Sequence, residues 1–121
     1  GDFEAARKAI GIVDECLGKV VARLLELDYQ ILITADHGNS EQMVDYETGM
    51  VKTSHTLFPV ELIYVTKDSS GKKLVERGKL SDIATTVLYL LGLEIPAAMT
   101  AENLIVTGQQ KKCGCGCSCR G

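Results

Sequence analysis

Between Phe3 and Leu27 the apolar residues Phe3, Ala6, Ile10, Val13, Leu17, Val20, Leu24 and Leu27 recur in steps of three and four. That is the period of one helical face, and it predicts an amphipathic helix over residues 3 to 27. Arg7, Lys8, Glu15, Lys19, Arg23 and Glu26 fall on the opposite, solvated side. Gly11 and Gly18 each cost a helix about 1 kcal/mol relative to alanine, so they mark candidate points of close packing. The pattern then changes. Ile31-Leu32-Ile33-Thr34 is short, rich in β-branched residues and lacks polar alternation, which suits a central strand covered on both faces, as in a parallel sheet.

A polar stretch from Ser40 to Thr56 is long enough to be a functional loop. Pro59-Val60-Glu61-Leu62-Ile63-Tyr64-Val65 reads as a second strand, with Pro59 where a missing N–H is tolerated. Asp68 to Lys73 reads as a turn. Ser81 then stands as N-cap to a second helix carrying Ile83, Ala84, Val87, Leu88, Leu90 and Leu91, with Asp82 in its first turn and Gly92 and Pro96 ending it. There are no internal repeats, and the order of elements supports an α/β class.

Composition limits what such a domain can be. With 121 residues, 45% of them hydrophobic and 24% charged, the chain is sized for one soluble domain with a modest core. No apolar run is long enough to span a membrane, and the first residues do not form a secretory signal. A chain that opens at a glycine already inside a helical pattern reads as a piece of a longer protein. The net charge of −3 is unevenly spread: the last sixteen residues hold Lys111, Lys112 and Arg120 and no acid, so the rest sets ten basic against sixteen acidic side chains. No nucleic-acid surface is expected. Four of the five cysteines lie in the tail and only Cys16 in the body, which is consistent with a reduced, cytoplasmic domain.

The chemistry concentrates at Asp36-His37-Gly38-Asn39, directly after the first strand. Ligands of open α/β sheets bind at the carboxyl ends of strands. One reading is a plain turn, since Asp, Gly and Asn are turn formers, and His55 by itself is as easily a surface residue. The other reading is a metal site. A divalent ion such as Mn²⁺ or Zn²⁺ accepts mixed carboxylate and imidazole donors, and His55 lies far enough beyond His37 for the loop to fold back. Two metals side by side would stabilise the attacking and leaving oxygens of a phosphoryl transfer. Asp36, His37 and His55 cannot complete two coordination shells, so further ligands would have to come from elsewhere.

"LITADHGNSEQM", "TSHTLFPVELIYV" and "LSDIATTVLYLLGLEIPAAMTAENLI", in this order and preceded by "GDFEAARKAIGIVDECLGKV", resemble the carboxyl-terminal part of the cofactor-independent phosphoglycerate mutases of the alkaline phosphatase superfamily. The resemblance covers residues 1 to 105; "DHG" alone would be weak, but several motifs in order are specific. It implies a partial three-layer α/β/α sandwich of alkaline-phosphatase-like type. It also implies an enzyme interconverting 3-phosphoglycerate and 2-phosphoglycerate in glycolysis through a phosphoserine, with two divalent metals. Mn²⁺ is the first candidate, and Mg²⁺, Co²⁺ and Zn²⁺ are the others. Carried over by motif, Asp36 and His37 match ligands of the metal that also binds the nucleophilic serine, and His55 matches a ligand of the other metal.

The resemblance also shows what has no counterpart here: the nucleophilic serine, an early aspartate ligand, the remaining Asp and His ligands, and most of the phosphoglycerate-binding basic residues. Ser40, Ser54 and Ser81 do not occupy the nucleophile's motif, so no catalytic residue is assigned. The chain by itself is expected to be inactive, its partners being the phosphoglycerate substrate and the remainder of the same enzyme chain. Two other readings compete: a non-catalytic truncated metal-binding domain, and another phosphatase or phosphomutase of the superfamily. Residues 106 to 121 fall outside the resemblance. Cys113, Cys115, Cys117 and Cys119 alternate with glycine or serine, unlike zinc-finger spacing. Thiolates this dense suit soft metals, but glycine alternation offers no core and no preferred backbone geometry, which favours an unstructured extension.

Overall fold

The computed structural model describes residues 2–107, and the chain divides between Asp68 and Ser69 into two units. The Cys113–Cys119 stretch lies outside the described residues.

The first unit opens with α1, Phe3–Glu26, as the periodicity predicts. Asp2 caps its start by accepting the Ala5 N–H at 3.1 Å. Its end is a complete Schellman turn: the Asp28 N–H donates to the Leu25 carbonyl at 3.1 Å and the Tyr29 N–H to that of Leu24 at 3.0 Å. Asp28 holds the left-handed position, φ +64°, that usually falls to glycine. No residue of α1 is buried; Ala6, Leu17 and Leu24 of the apolar stripe are half covered, and Phe3 and Val13 are 65% and 64% exposed. The helix therefore leans on its cap and on exposed ion pairs such as Lys19–Glu15 at 2.6 Å, worth a few tenths of a kcal/mol each. The close packing expected at Gly11 and Gly18 is not found, since a Cβ at either would meet nothing within 4 Å. Gly11→Ala and Gly18→Ala are each expected to stabilise α1 by about 1 kcal/mol, read as a rise in helical circular dichroism at 25 °C; an unchanged signal would contradict that.

Two strands follow, β1 (Ile31–Thr34) and β2 (Leu62–Val65). They pair antiparallel, Ile31 opposite Val65 and Thr34 opposite Leu62. The parallel setting read from β1's composition is thus corrected for its pairing with β2, and among the described residues Thr34 is exposed and Ile31 to Ile33 are only half covered. The physical reason is the connection. Parallel neighbours need a crossover, commonly a helix, and residues 35–61 contain none, so the chain simply doubles back. β2 starts at Leu62 rather than Pro59.

The second unit holds β3 (Lys72–Leu74), α2 (Asp82–Leu90) and β4 (Ile105–Thr107). β3 and β4 pair antiparallel, Lys72 with Thr107 and Leu74 with Ile105. The turn read over Asp68 to Lys73 is therefore shorter, closing with the Lys72 N–H on the Ser69 carbonyl at 3.0 Å before β3 begins. β4 continues past the 105/106 boundary read from the resemblance. Gly92, at φ +66°, ends α2 in the same Schellman pattern as Asp28 ends α1.

Ser81 does not act as the expected cap; its backbone is helical and its hydroxyl makes no capping bond. Asp82 takes over. Its carboxylate, in a residue only 6% exposed, accepts the Lys79 N–H at 2.8 Å and the Glu102 N–H at 3.1 Å, tying the start of α2 to the segment leading into β4. Thr86 Oγ1 adds a second tie, donating to the Asp82 carbonyl at 2.8 Å and accepting the Leu104 N–H at 3.0 Å. Around these sit the buried side chains of Leu104, Ile105 and Thr85.

Candidate functional site

Asp36, His37 and Gly38 leave the carboxyl end of β1, and His55 and Thr56 stand on the segment that returns to β2. The sequence between is not slack. Asp45 Oδ1 accepts the N–H groups of Glu47 at 3.0 Å and Thr48 at 2.9 Å, and the Asp45 N–H donates to the Met50 carbonyl at 2.9 Å. With the Val44–Val51 bridge this folds residues 44–51 into a tight reversal. The two arms of the loop then come back side by side.

Where they meet, Gly38 and Thr56 are both buried and form an antiparallel bridge, the Thr56 N–H donating to the Gly38 carbonyl at 2.9 Å. The Glu41 carboxylate closes the corner. Oε1 accepts the Thr56 hydroxyl, and Oε2 accepts the Asn39 N–H at 2.7 Å. The Thr56 hydroxyl bond, ahead of the backbone donors and the nearby His37, holds the Glu41 carboxyl below its ordinary value. Since the folded value is the lower one, this contribution is present above the unfolded carboxylate pKa and is lost as pH falls through the folded one.

This corner brings the two histidines face to face, with ring centroids 3.6 Å apart and planes tilted by 36°. His37 Nδ1 lies 3.1 Å from the Gly38 carbonyl. A carbonyl only accepts, so that contact is a hydrogen bond in the tautomer with its proton on Nδ1, the form whose Nε2 carries a lone pair. Metal-binding imidazoles commonly donate their second ring N–H in this way. Asp36 Oδ1 is 3.7 Å from His37 Nε2, with its side chain 85% exposed. His55 lines an open hollow of about 560 Å³ with Lys52, Thr56 and Phe58, and Lys52 Nζ donates to Gln42 Oε1 at 2.9 Å.

Asp36, His37 and His55 are thus neighbours. They do not make a closed coordination shell: among the described residues no group of three or more His, Cys, Asp or Glu side chains is placed to hold a metal. The chemistry of the donors fits a metal, and their number fits only part of one site. Glu41 and Thr56, which organise the corner, escape a sequence reading. The one available signal is an acid five residues beyond Asp36 and a hydroxyl next to His55, and neither spacing has a periodicity to mark it.

Residues 1–95 match the model of the Metalloenzyme superfamily. The chain is 56% identical over 105 residues to a 2,3-bisphosphoglycerate-independent phosphoglycerate mutase of Clostridium botulinum, a match covering 87% of this chain and 20% of that relative. Proteins of the same name from Clostridium perfringens and Clostridium acetobutylicum are each 54% identical, over 105 and 104 residues, covering 87% and 86% of this chain and 20% of each relative. The chain therefore spans about a fifth of the length of these curated relatives.

Proposed function

The chain belongs to the Metalloenzyme superfamily, and we propose that it is the carboxyl-terminal segment of a cytoplasmic 2,3-bisphosphoglycerate-independent phosphoglycerate mutase, interconverting 3-phosphoglycerate and 2-phosphoglycerate through a phosphoserine. The observation that carries this reading is the 56% identity to such a mutase over 105 residues. In the same reading the mixed helix and strand elements are part of a three-layer α/β/α sandwich. The exposure of α1's apolar stripe, Ile10 at 53% and Val20 at 53% among them, supports a domain whose remaining layers lie in other sequence.

Asp36 and His37 would hold one divalent metal and His55 the other. Two divalent ions, Mn²⁺ first, supply charge neutralisation and Lewis acidity at the transferring phosphoryl group. This chain's part is positional. β1 fixes the Asp36-His37 arm, the return to β2 fixes His55, and the contact of Nδ1 with the Gly38 carbonyl leaves His37 Nε2, on the side of Asp36, as the nitrogen for a metal. The two rings lie 3.6 Å apart, so both histidines would be at hand for divalent ions bound at this corner. A second reading, a non-catalytic metal-binding segment, is favoured by the incomplete donor set among the described residues.

A coupled assay separates the two. The 121-residue chain with Mn²⁺ and 3-phosphoglycerate is expected to give no turnover, and the enzyme carrying it behind a mutase amino-terminal portion to be active. In that enzyme His37→Ala and His55→Ala should each lower kcat by on the order of 100-fold or more, beyond the cost typical of outer-sphere partners. Turnover by the chain alone would overturn the absence of the nucleophile. An inactive combined enzyme would favour the non-catalytic reading.

A further inference from the structure

We infer that Glu41 and Thr56 are positioning residues, a side-chain clasp that holds His37 and His55 face to face and so sets the geometry in which their nitrogens meet a divalent cation. The inference rests on the metal reading above for its purpose, and on the loop geometry alone for its existence.

The two histidines stand on arms separated by the whole Asp45 reversal, and closing such a loop costs chain entropy that specific contacts must offset. At the backbone the arms share the Lys52 N–H to Met43 carbonyl bond at 2.9 Å, toward the reversal, and the Thr56 N–H to Gly38 carbonyl bond at 2.9 Å, beside the histidines. A single hydrogen bond contributes about 1 kcal/mol net, so the one beside the histidines holds their spacing only weakly by itself. The Glu41 carboxylate supplies a second point of attachment. One oxygen is held by the Asn39 N–H, two residues past His37, and the other takes the hydroxyl of Thr56, next to His55. Asn39 and Glu41 both lie on the His37 arm, so of Glu41's two bonds the one to Asn39 fixes the carboxylate in place and the one to the Thr56 hydroxyl crosses between the arms, a side-chain tie beside the Gly38–Thr56 bridge.

The chain of contacts reaches His37 directly. The Gly38 carbonyl that accepts the Thr56 N–H also faces His37 Nδ1 at 3.1 Å. A shift of Thr56 would therefore move the group that His37 Nδ1 faces, as well as His55 beside it in sequence. Gly38 and Thr56 are buried and Glu41 closes over them from the exposed side, with no spare room at Gly38, where a Cβ would overlap both Glu41 Oε1 and Thr56 Oγ1. A plain loop staple would need none of this proximity to the imidazoles. Neither Glu41 nor Thr56 is here a metal ligand or a catalytic residue.

The test uses the 121-residue chain with Mn²⁺ as probe, comparing Thr56→Val, Thr56→Ser and Glu41→Gln by NMR. One readout is the nuclear Overhauser contact between the His37 and His55 ring protons. The other is the Mn²⁺ concentration that half-broadens both ring signals. The native chain is expected to show the ring contact and to broaden both rings together. Thr56→Val and Glu41→Gln should lose the contact and need about 10–100-fold more Mn²⁺, the usual cost of removing an outer-sphere partner. Thr56→Ser, which keeps the hydroxyl, should behave as native.

A ring contact that survives Thr56→Val, or is lost equally in Thr56→Ser, overturns the clasp. So does a lost contact with unchanged Mn²⁺ demand, since position would then not matter to the cation. If Mn²⁺ broadens neither ring of the native chain while the ring contact still follows the Thr56 hydroxyl, the metal reading fails and the clasp stands.

Discussion

Gly38→Ala is expected to destabilise the first unit by about 2 kcal/mol and to separate the two histidine rings. The methyl group would occupy the space where Glu41 Oε1 and Thr56 Oγ1 meet, and both belong to the hydrogen bonds that close the corner. Forcing an extra carbon into a filled site costs roughly 1–3 kcal/mol. Relief by rotating Glu41 away would sacrifice its bonds to Thr56 and Asn39, so either route opens the corner. The measurement is a urea titration followed at the β1–β2 amides, with the His37–His55 ring contact read in parallel. A titration midpoint and ring contact both equal to the native chain's would show that the corner accommodates a methyl, and the packing argument would fall.

The largest effect in the second unit should come from Asp82→Ala, with a loss of about 3 kcal/mol. Its carboxylate holds two backbone N–H groups from segments that sequence separates, Lys79 and Glu102. Hydrogen bonds to a charged acceptor contribute about 1.5–3 kcal/mol each, and removing the acceptor orphans both donors. The unit has little else to absorb the loss, since its buried apolar side chains among the described residues are Leu104 and Ile105. Asp82→Asn should cost roughly half as much, because one carbonyl oxygen can replace one carboxylate oxygen. Hydrogen exchange at the Thr86 and Leu104 amides reports the result. Protection within about 0.5 kcal/mol of native in Asp82→Ala would show that the tie through Thr86 Oγ1 suffices.

Local signals were read correctly where their cause was local. The three-and-four spacing from Phe3 onward produces α1, because helix periodicity concerns residues a turn apart. Gly92 stops α2, because only the backbone conformation at that residue is at stake. The β-branched run at Ile31 is a strand for the same reason, and Asp36 and His37 follow its end as its length dictates. Ser81 shows the limit. It satisfies every rule for an N-cap, yet its hydroxyl makes no capping bond, and the start of α2 is tied down by the neighbouring Asp82, whose carboxylate reaches Glu102, twenty residues away, which no window around Ser81 contains. The stripe of α1 likewise says which face seeks cover, and not whether cover is at hand.

The sequence alone therefore determined the two helices, the strand at Ile31 and the strand ending at Val65, and offered the residue types that could bind a metal, since propensity and periodicity act over a few neighbouring residues, while the short strands β3 and β4 left no such pattern. The tertiary structure decided that β1 and β2 run antiparallel, that His37 meets His55 at 3.6 Å, and that Glu41 and Thr56 lock the corner between them. Those outcomes depend on which distant groups meet when a loop closes. Closure costs nearly the same for many sequences, and the choice falls to a few hydrogen bonds between residues that lie far apart along the chain.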